Sequence, residues 1–174
     1  MLAFVPIAFF DTMEIVGSLR TRAGLFKTEA AGHRILRIRG HAKGSDEADD
    51  RFGAYPSAQK WIELANLRSE IARRAEGIMP GAIEFGRIHF EMLDAGARLD
   101  WCVEDTPYFA RWQRSVLPIR TNPGFLRIAG NEAGSPAQGW LTLVNVRVPN
   151  AQINSGEHPA VHLIMDFRRK TGED

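Results

Sequence analysis

Alternation of apolar and polar residues is clearest near the C-terminal end of the chain. In residues 161–166 every second residue is a large apolar side chain at Val161, Leu163 and Met165, which is the period of a strand with two different faces. A run rich in β-forming residues begins at Gly139. Between the two runs, Asn154-Ser155-Gly156 is typical of a turn, because Asn and Gly tolerate positive φ. The stretch 139–166 therefore predicts two strands joined by a turn.

The rest of the chain carries weaker strand patterns. They predict strands over residues 2–10, 33–39, 83–92 and 125–129. We interpret the first as a buried strand, because it is apolar and too short to span a bilayer. Neither face of 83–92 is purely apolar, so we expect a bend or bulge near Gly86.

One helix is predicted, over residues 58–78, where Trp61, Leu64 and Ile71 recur at helical spacing. Ser57 is a candidate N-cap, and Pro80-Gly81 would end the helix. The preceding residues 40–57 are glycine-rich and acidic, which predicts a flexible loop. This loop is interpreted as a solvated connector, with a lid over a pocket as the alternative.

Composition narrows the class of protein. The chain has 174 residues, 44% of them hydrophobic and 25% charged, which suits one globular domain. A formal net charge of +1 argues against a nucleic-acid partner, and no segment suggests a membrane partner. Cys102 is the only cysteine, so a reducing, cytoplasmic location is expected. We expect a small-molecule substrate as partner and leave a homodimer open.

Two motifs carry a resemblance to a known family. The first contains Arg114, Pro118 and Thr121-Asn122-Pro123-Gly124; the second contains Gly139, Asn145, Asn154, Gly156, His162-Leu163-Ile164 and Asp166. Through them, residues 80–168 resemble the aspartyl/asparaginyl β-hydroxylases, which are Fe(II)- and 2-oxoglutarate-dependent oxygenases. The resemblance implies a mainly β fold with flanking helices: a double-stranded β-helix (jelly roll, cupin-like) forming a single domain, 1–174.

The residues that carry the family's chemistry are replaced. Where the family has His-x-Asp or His-x-Glu, this chain has Cys102 and Glu104, or Val103 and Asp105 after a shift of one residue. Asn150 stands at the position of the distal histidine ligand. Two further positions that hold 2-oxoglutarate in the family are also replaced. Ala160 stands at the position of the arginine and Val116 at that of the histidine.

This contrast predicts a repurposed pocket that binds a small organic molecule without a metal or other cofactor. Cys102 and Glu104 are candidates for a redox-neutral step such as isomerisation, cyclisation or elimination. The candidate catalytic residues are Cys102, Glu104, Asp105 and His162. The candidate substrate-binding residues are Arg114, Trp101, Trp112, Tyr108, His89, Asn150 and Trp140. His33, His41 and His158 are expected to be exposed.

Three alternatives stay open at the level of sequence. The chain could be a hydroxylase of an Asp, Asn or amino-acid-like substrate, using Fe(II) and 2-oxoglutarate with non-standard ligands. A rebuilt metal site could use His89, Cys102, Glu104 and His162, since His162 lies on the same strand face as Ala160. The chain could also be a non-catalytic pseudoenzyme that acts as an interaction module.

Overall fold

The computed structural model describes residues 3–42, 50–78 and 81–170. Twelve strands are described, and their bounds are β1 Phe4–Phe9, β2 Lys27–Ala30, β3 His33–His41, β4 Phe52–Ala54, β5 Ile83–Leu93, β6 Arg98–Cys102, β7 Gln113–Arg120, β8 Phe125–Ala129, β9 Glu132–Gly134, β10 Trp140–Val144, β11 Asn150–Asn154 and β12 Ala160–Arg169. The helices are α1 Met13–Thr21, α2 Ile62–Ile78 and α3 Pro107–Arg111.

These strands form two antiparallel sheets. The larger sheet has the order β1-β10-β7-β12-β5-β3-β2, with β4 paired to β3. The smaller sheet has the order β6-β11-β8-β9. Because consecutive core strands cross between the two sheets, the chain forms a double-stranded β-helix in one domain, as the sequence predicts. The space between the sheets holds the polar cluster described below.

The main hydrophobic core lies on the other face of the larger sheet, beneath α1 and α2. Leu163 and Met165 of β12 are fully buried there, together with Ile71 of α2. Side chains at Leu64, Leu67, Ile71 and Ala75 form the buried face of α2, as helical spacing predicts. A second core cluster between the sheets contains Tyr108 and Trp112, whose rings stack with centroids 5.7 Å apart.

Several sequence predictions about elements are wrong. The stretch 139–166 contains three strands, because the chain leaves the larger sheet after β10 and enters the smaller sheet as β11. Strand β1 is an edge strand, with Val5 40% and Phe9 51% exposed. Helix α2 begins at Ile62, and Ser57 bonds the carbonyl of Arg37 instead of capping it.

The predicted loop 40–57 is also partly corrected. It contains the end of β3, strand β4 and a short 3-10 turn at Pro56–Ala58, while residues 43–49 lie outside the described part of the chain. Within residues 3–42, 50–78 and 81–170, no helix is long and apolar enough to cross a membrane.

The predicted irregularity near Gly86 is confirmed. Met165 pairs with Ile88 whereas Phe167 pairs with Phe85, so β5 carries one extra residue at this point. A Cβ on Gly86 would lie 2.5 Å from the hydroxyl of Tyr108, which explains the glycine. Because of the bulge, Phe85 packs against the main hydrophobic core. Without the extra residue, strand alternation would place Phe85 on the same face as His89.

The motif residues Asn122, Gly124, Asn154 and Gly156 fasten the turn after β11. Asn154 is fully buried and donates through Nδ2 to the carbonyls of Leu93 (2.9 Å) and His158 (2.9 Å). A Cβ on Gly124 would lie 2.3 Å from the amide nitrogen of Gly156, so only glycine fits. These motif residues therefore maintain the frame of the fold.

Candidate functional site

A cavity of about 460 Å³ lies between the two sheets. Its polar lining includes His33, Arg37, Arg39, His41, Arg87, His89, Glu91, Asp100, Cys102, Glu104, Arg114, Arg127, Asn150 and Gln152. The apolar part of the cavity wall consists of Ile35, Leu99 and Ala151. The size of this concave space is that of a small-molecule site, and its lining is unusually polar for one.

Cys102 and Asn150 face each other on neighbouring strands of the smaller sheet, at two positions where the sequence resemblance implies metal ligands. They are Cα partners in the pairing of β6 with β11. The Cys102 thiol donates to Asn150 Oδ1 at 3.7 Å, and Asn150 Nδ2 donates to the carbonyl of Cys102 at 3.0 Å. Burial, with the nearby charge of Glu104, raises the pKa of the thiol, so Cys102 is protonated at neutral pH.

Glu104 joins an ion network centred on Arg114. Nη1 of Arg114 donates to Glu104 at 3.3 Å, while its Nε and Nη2 bind both oxygens of Asp166 at 2.8 and 3.1 Å. Burial works against the charge of Arg114, but Asp166 raises its pKa above the ordinary value. Because its fork is occupied by the fully buried Asp166, Arg114 acts first as a structural ion-pair partner.

Glu91 of β5 is a buried carboxylate held by two neighbouring side chains. His33 Nε2 lies 3.2 Å from Oε1, and Gln152 Nε2 donates to Oε2 at 3.0 Å. Burial works against its charged form, but the bond from His33 and the charge of Arg127 hold the pKa of Glu91 well below its usual range. Glu91 is therefore ionised at neutral pH and serves as a fixed acceptor.

Arg127 of β8 is the side chain that most needs a ligand. It is only 3% exposed, and its Nε and Nη1 have no hydrogen-bond partner within residues 3–42, 50–78 and 81–170. Burial lowers its pKa, and the nearby charge of Glu91 only partly offsets this effect. A buried guanidinium with unpaired donors is costly, and native proteins keep such a group mainly where a ligand completes it.

Two histidines near this cluster are neutral at physiological pH. Burial, with the charge of Arg114, lowers the pKa of His89 to about 4. Burial, with the charge of Arg127, lowers the pKa of His162 to about 3. His162 is 2% exposed and its ring meets Phe125 edge-on at 4.3 Å, so its imidazole belongs to the interior beneath the cavity.

The structure brings together five of the candidate residues from the sequence and separates the others. Those on the cavity are Cys102, Glu104, Arg114, His89 and Asn150. His162 faces the interior between the sheets as parity predicts, but it does not line the cavity. Asp105 pairs with Arg147 on the surface and is far more exposed than Glu104. The register with Cys102 and Glu104 is therefore the one that reaches the cavity.

The four aromatic candidates do not line the cavity. Trp112 and Tyr108 are buried in the second core cluster, where Trp112 Nε1 bonds Asp50 and the hydroxyl of Tyr108 accepts from the backbone amide of Arg87. Trp101 is 61% exposed, and Trp140 lies beside Phe9 on the outer surface. Hydrophobic packing and strand direction, which composition does not reveal, account for these positions.

Arg127, Glu91, Gln152 and His33 are site residues that sequence reasoning missed. Strand parity offered one signal: Arg127 shares its face of β8 with Phe125 and Ala129, both fully buried, so a charge stands in a buried row. His33 was expected to be exposed, but it is half-buried against Glu91 because β3 pairs with β5.

The side chains of Cys102, Glu104 and Asn150, where the sequence resemblance implies a metal, do not match an iron centre. A non-haem Fe(II) site needs two imidazoles and one carboxylate. Here a protonated thiol and an amide bond each other, and the carboxylate of Glu104 is paired with Arg114. Within residues 3–42, 50–78 and 81–170, no three His, Cys, Asp or Glu side chains cluster in a way that could hold a metal.

The fold is that of the 2-oxoglutarate/Fe(II) oxygenases. A 2OG-Fe(II) oxygenase-family oxidoreductase from Burkholderia pseudomallei superposes with a TM-score of 0.72 at 13% identity, over 98% of this chain and 86% of that one. The α-ketoglutarate-dependent epimerase SnoN from nogalamycin biosynthesis gives 0.68 at 10% identity, over 97% and 78%. HygX from Streptomyces hygroscopicus gives 0.61 at 9% identity, over 97% and 83%.

No known family model matches the chain, and no curated protein sequence matches it. The likeness at such low identity defines a class, the double-stranded β-helix proteins built on the oxygenase scaffold. Function has to be argued from the residues of this site.

The neutral His162 predicts an acid-sensitive fold. The unfolded chain binds a proton at this histidine below about pH 6.5, whereas the folded chain does so only near pH 3. The free energy of unfolding should therefore fall as pH drops from 6.5 towards 3, by up to about 1.4 kcal/mol per pH unit from this group. His162→Phe should flatten that slope in denaturant titrations, whereas His158→Gln, at an exposed position, should not. An unchanged slope in His162→Phe would contradict the assignment.

Proposed function

We propose that the chain binds a small organic anion in the central cavity, on an oxygenase-type scaffold that uses neither the iron centre nor another cofactor. One observation carries this proposal: the buried guanidinium of Arg127 lines the cavity, and its Nε and Nη1 have no hydrogen-bond partner among the residues that the structure describes. A carboxylate neutralises the charge of the guanidinium and accepts charge-assisted hydrogen bonds from its N–H groups.

The surroundings of Arg127 support an anion of modest size. Its cross-strand neighbour Gln152 and the nearby Glu91 lie on the same cavity, with Leu99 and Ala151 as apolar wall. A volume of about 460 Å³ suits a small metabolite and leaves little room for a folded partner. This supports small-molecule binding over the non-catalytic interaction module.

A redox-neutral reaction is a second candidate, supported by the presence of the Cys102 thiol and the Glu104 side chain on the same cavity. The thiol carries its proton, while Glu104 accepts a hydrogen bond from Arg114 and is placed to act as a base. Glu104 would take a proton from the carbon next to a carboxylate, and the thiol of Cys102 would return one to the other face. The net result is an isomerisation in which no electrons are gained or lost.

This catalytic step predicts exchange of hydrogen with solvent. A bound substrate incubated in D₂O should gain one deuterium at the carbon next to its carboxylate, as measured by mass spectrometry. Glu104→Gln should stop the exchange yet leave anion binding in place, because Arg127 remains. Exchange that continues in Glu104→Gln at the wild-type rate would exclude Glu104 as the base.

The proposed binding predicts thermal stabilisation by organic anions. At a hundredfold excess over Kd, a ligand that binds only the folded state adds about 2.7 kcal/mol, which shifts Tm by several degrees. Mono- and dicarboxylates should raise Tm in differential scanning fluorimetry, whereas neutral amides of the same size should not. A panel in which no carboxylate raises Tm would contradict the proposal.

The same assay distinguishes the proposed anion binding from the iron-dependent alternative. That alternative is supported by two structural neighbours, one an α-ketoglutarate-dependent epimerase and the other with 2-oxoglutarate bound. Under argon, Fe(II) added together with 2-oxoglutarate should shift Tm no further than 2-oxoglutarate alone. Iron found in stoichiometric amount by mass spectrometry, or succinate formed together with a substrate product, would support the hydroxylase alternative instead.

A further inference from the structure

A second unsatisfied group lies beside Arg127. Gln152 is the direct Cα partner of Arg127 in the pairing of β11 with β8, so both side chains leave the same face of the smaller sheet. Gln152 is 4% exposed and lines the same cavity. Its Oε1 has no hydrogen-bond partner among the residues that the structure describes. Oε1 therefore belongs, like the unpaired donors of Arg127, to a side chain on the cavity wall, and binding requires both side chains to turn these enclosed atoms toward the ligand.

The direction of the Gln152 amide is fixed by Glu91. Its Nε2 donates at 3.0 Å to Oε2 of Glu91, across the gap between the two sheets. A flipped amide would place Oε1 against an ionised carboxylate, and two acceptors repel each other. His33 holds the other oxygen of Glu91 at 3.2 Å. Glu91 therefore keeps Oε1 of Gln152 as the acceptor that faces away from it.

From this pairing we propose that the anion is a hydroxy acid, with a hydroxyl group on the carbon next to its carboxylate. The proposal rests on the proposed function and deepens it. Arg127 binds the carboxylate, and the neighbouring hydroxyl donates to Oε1 of Gln152. A single small ligand then satisfies donors and an acceptor that are buried side by side.

Other groups at that carbon fit the pair less well. A 2-oxo acid presents only acceptors there, so Oε1 of Gln152 stays unpaired, and a buried acceptor without a donor weakens binding by a factor of about ten. An ammonium group would supply a donor but also a positive charge. Among the described residues that line the cavity, five are arginines and three are carboxylates, so a second cation is disfavoured.

Two matched ligand series test the proposal on the full-length protein by isothermal titration calorimetry. The first is glutarate, 2-hydroxyglutarate, 2-oxoglutarate and glutamate, which differ only at one carbon. The second is propionate, lactate, pyruvate and alanine, in which the single carboxylate forces that carbon next to Arg127. The hydroxy acid should bind about tenfold more tightly than the unsubstituted and 2-oxo acids in each series. Equal affinities, or tighter binding of the amino acid, would overturn the proposal.

Gln152→Met gives a matched variant, because it keeps the length of the side chain and removes the acceptor. The ratio of the affinities for 2-hydroxyglutarate and glutarate should fall to within about twofold. A preference that survives in Gln152→Met would overturn the role of Oε1.

The wild-type series stands by itself if this variant does not fold. Carboxylates that bind without a hydroxyl preference would refute the inference and leave the proposed function intact, whereas no binding by any carboxylate would refute both.

Discussion

Arg127→Met is expected to make the ligand-free protein more stable and, at the same time, unable to bind organic anions. The substitution removes a charge that is 3% exposed and lacks partners for Nε and Nη1. Glu91 keeps its bonds to His33 and Gln152. Replacing an unsatisfied buried ion with an apolar side chain of similar length should raise the free energy of unfolding by about 1–3 kcal/mol.

Loss of binding should accompany that gain in stability. Hydrogen bonds to a charged group contribute about 1.5–3 kcal/mol each, so removing two of them should weaken carboxylate binding by a factor of a hundred or more. Denaturant titration measures the first effect and calorimetry the second. Arg127→Lys, which keeps the charge but not the fork, should bind with intermediate affinity.

Arg120→Met is the control for this prediction, because it makes the same change at an exposed position at the end of β7. It should alter the free energy of unfolding by less than about 0.5 kcal/mol and leave anion binding unchanged. A less stable Arg127→Met protein that still binds carboxylates normally would show that Arg127 is a structural residue, and the proposed function would then lose its main support.

Arg114→Met is expected to have the opposite effect on stability, a loss of about 3–5 kcal/mol. Arg114 binds both oxygens of Asp166, whose side chain is 1% exposed, and its removal leaves that carboxylate buried without a counter-charge. Two similar arginines on facing parts of one cavity thus change stability in opposite directions. Arg114 has two hydrogen bonds to Asp166, whereas Nε and Nη1 of Arg127 lack a hydrogen-bond partner among the described residues and the nearby charge of Glu91 offsets its burial only in part. Equilibrium unfolding in denaturant measures the difference.

The exposed pair of Arg147 and Asp105 supplies the control. The side chains of Arg147 and Asp105 are 54% and 69% exposed, and Nη2 of Arg147 lies 3.3 Å from Oδ1 of Asp105. Because such exposed pairs contribute little, Arg147→Met should change the free energy of unfolding by less than about 1 kcal/mol. The double variant Arg114→Met with Asp166→Asn should recover part of the loss, since no unpaired charge is then buried. A loss below about 1 kcal/mol in Arg114→Met alone would contradict the assignment of a buried ion pair.

Local pattern predicted much of the frame. The two-residue period of 161–166 predicts strand β12, and the mixed faces of 83–92 predict the bulge at Gly86. Where pattern failed, tertiary contacts decided the outcome. An apolar sequence at residues 4–9 reads as a core strand, yet β1 pairs only with β10 and lies at an edge of the sheet.

The candidate site was only partly predictable. The family-like motifs located Cys102, Glu104, Arg114 and Asn150, and all four border the cavity. The aromatic residues at 101–112 led to a wrong prediction of substrate-binding residues, because Tyr108 and Trp112 pack inside the second core cluster. In the opposite direction, no motif marks Gln152, whose role depends on its contact with Glu91, 61 residues earlier in the chain.

The sequence by itself determined the strands with a two-residue period, because that period is a local property, and its motifs resemble a family whose fold, the double-stranded β-helix, the structure confirms. The tertiary structure alone decided which polar groups lack a partner. Arg127 and Gln152 are unremarkable in the sequence; strand register makes them neighbours, and burial removes water from them. An unsatisfied buried group depends on everything that surrounds it, and those surroundings come from strands far apart in the chain.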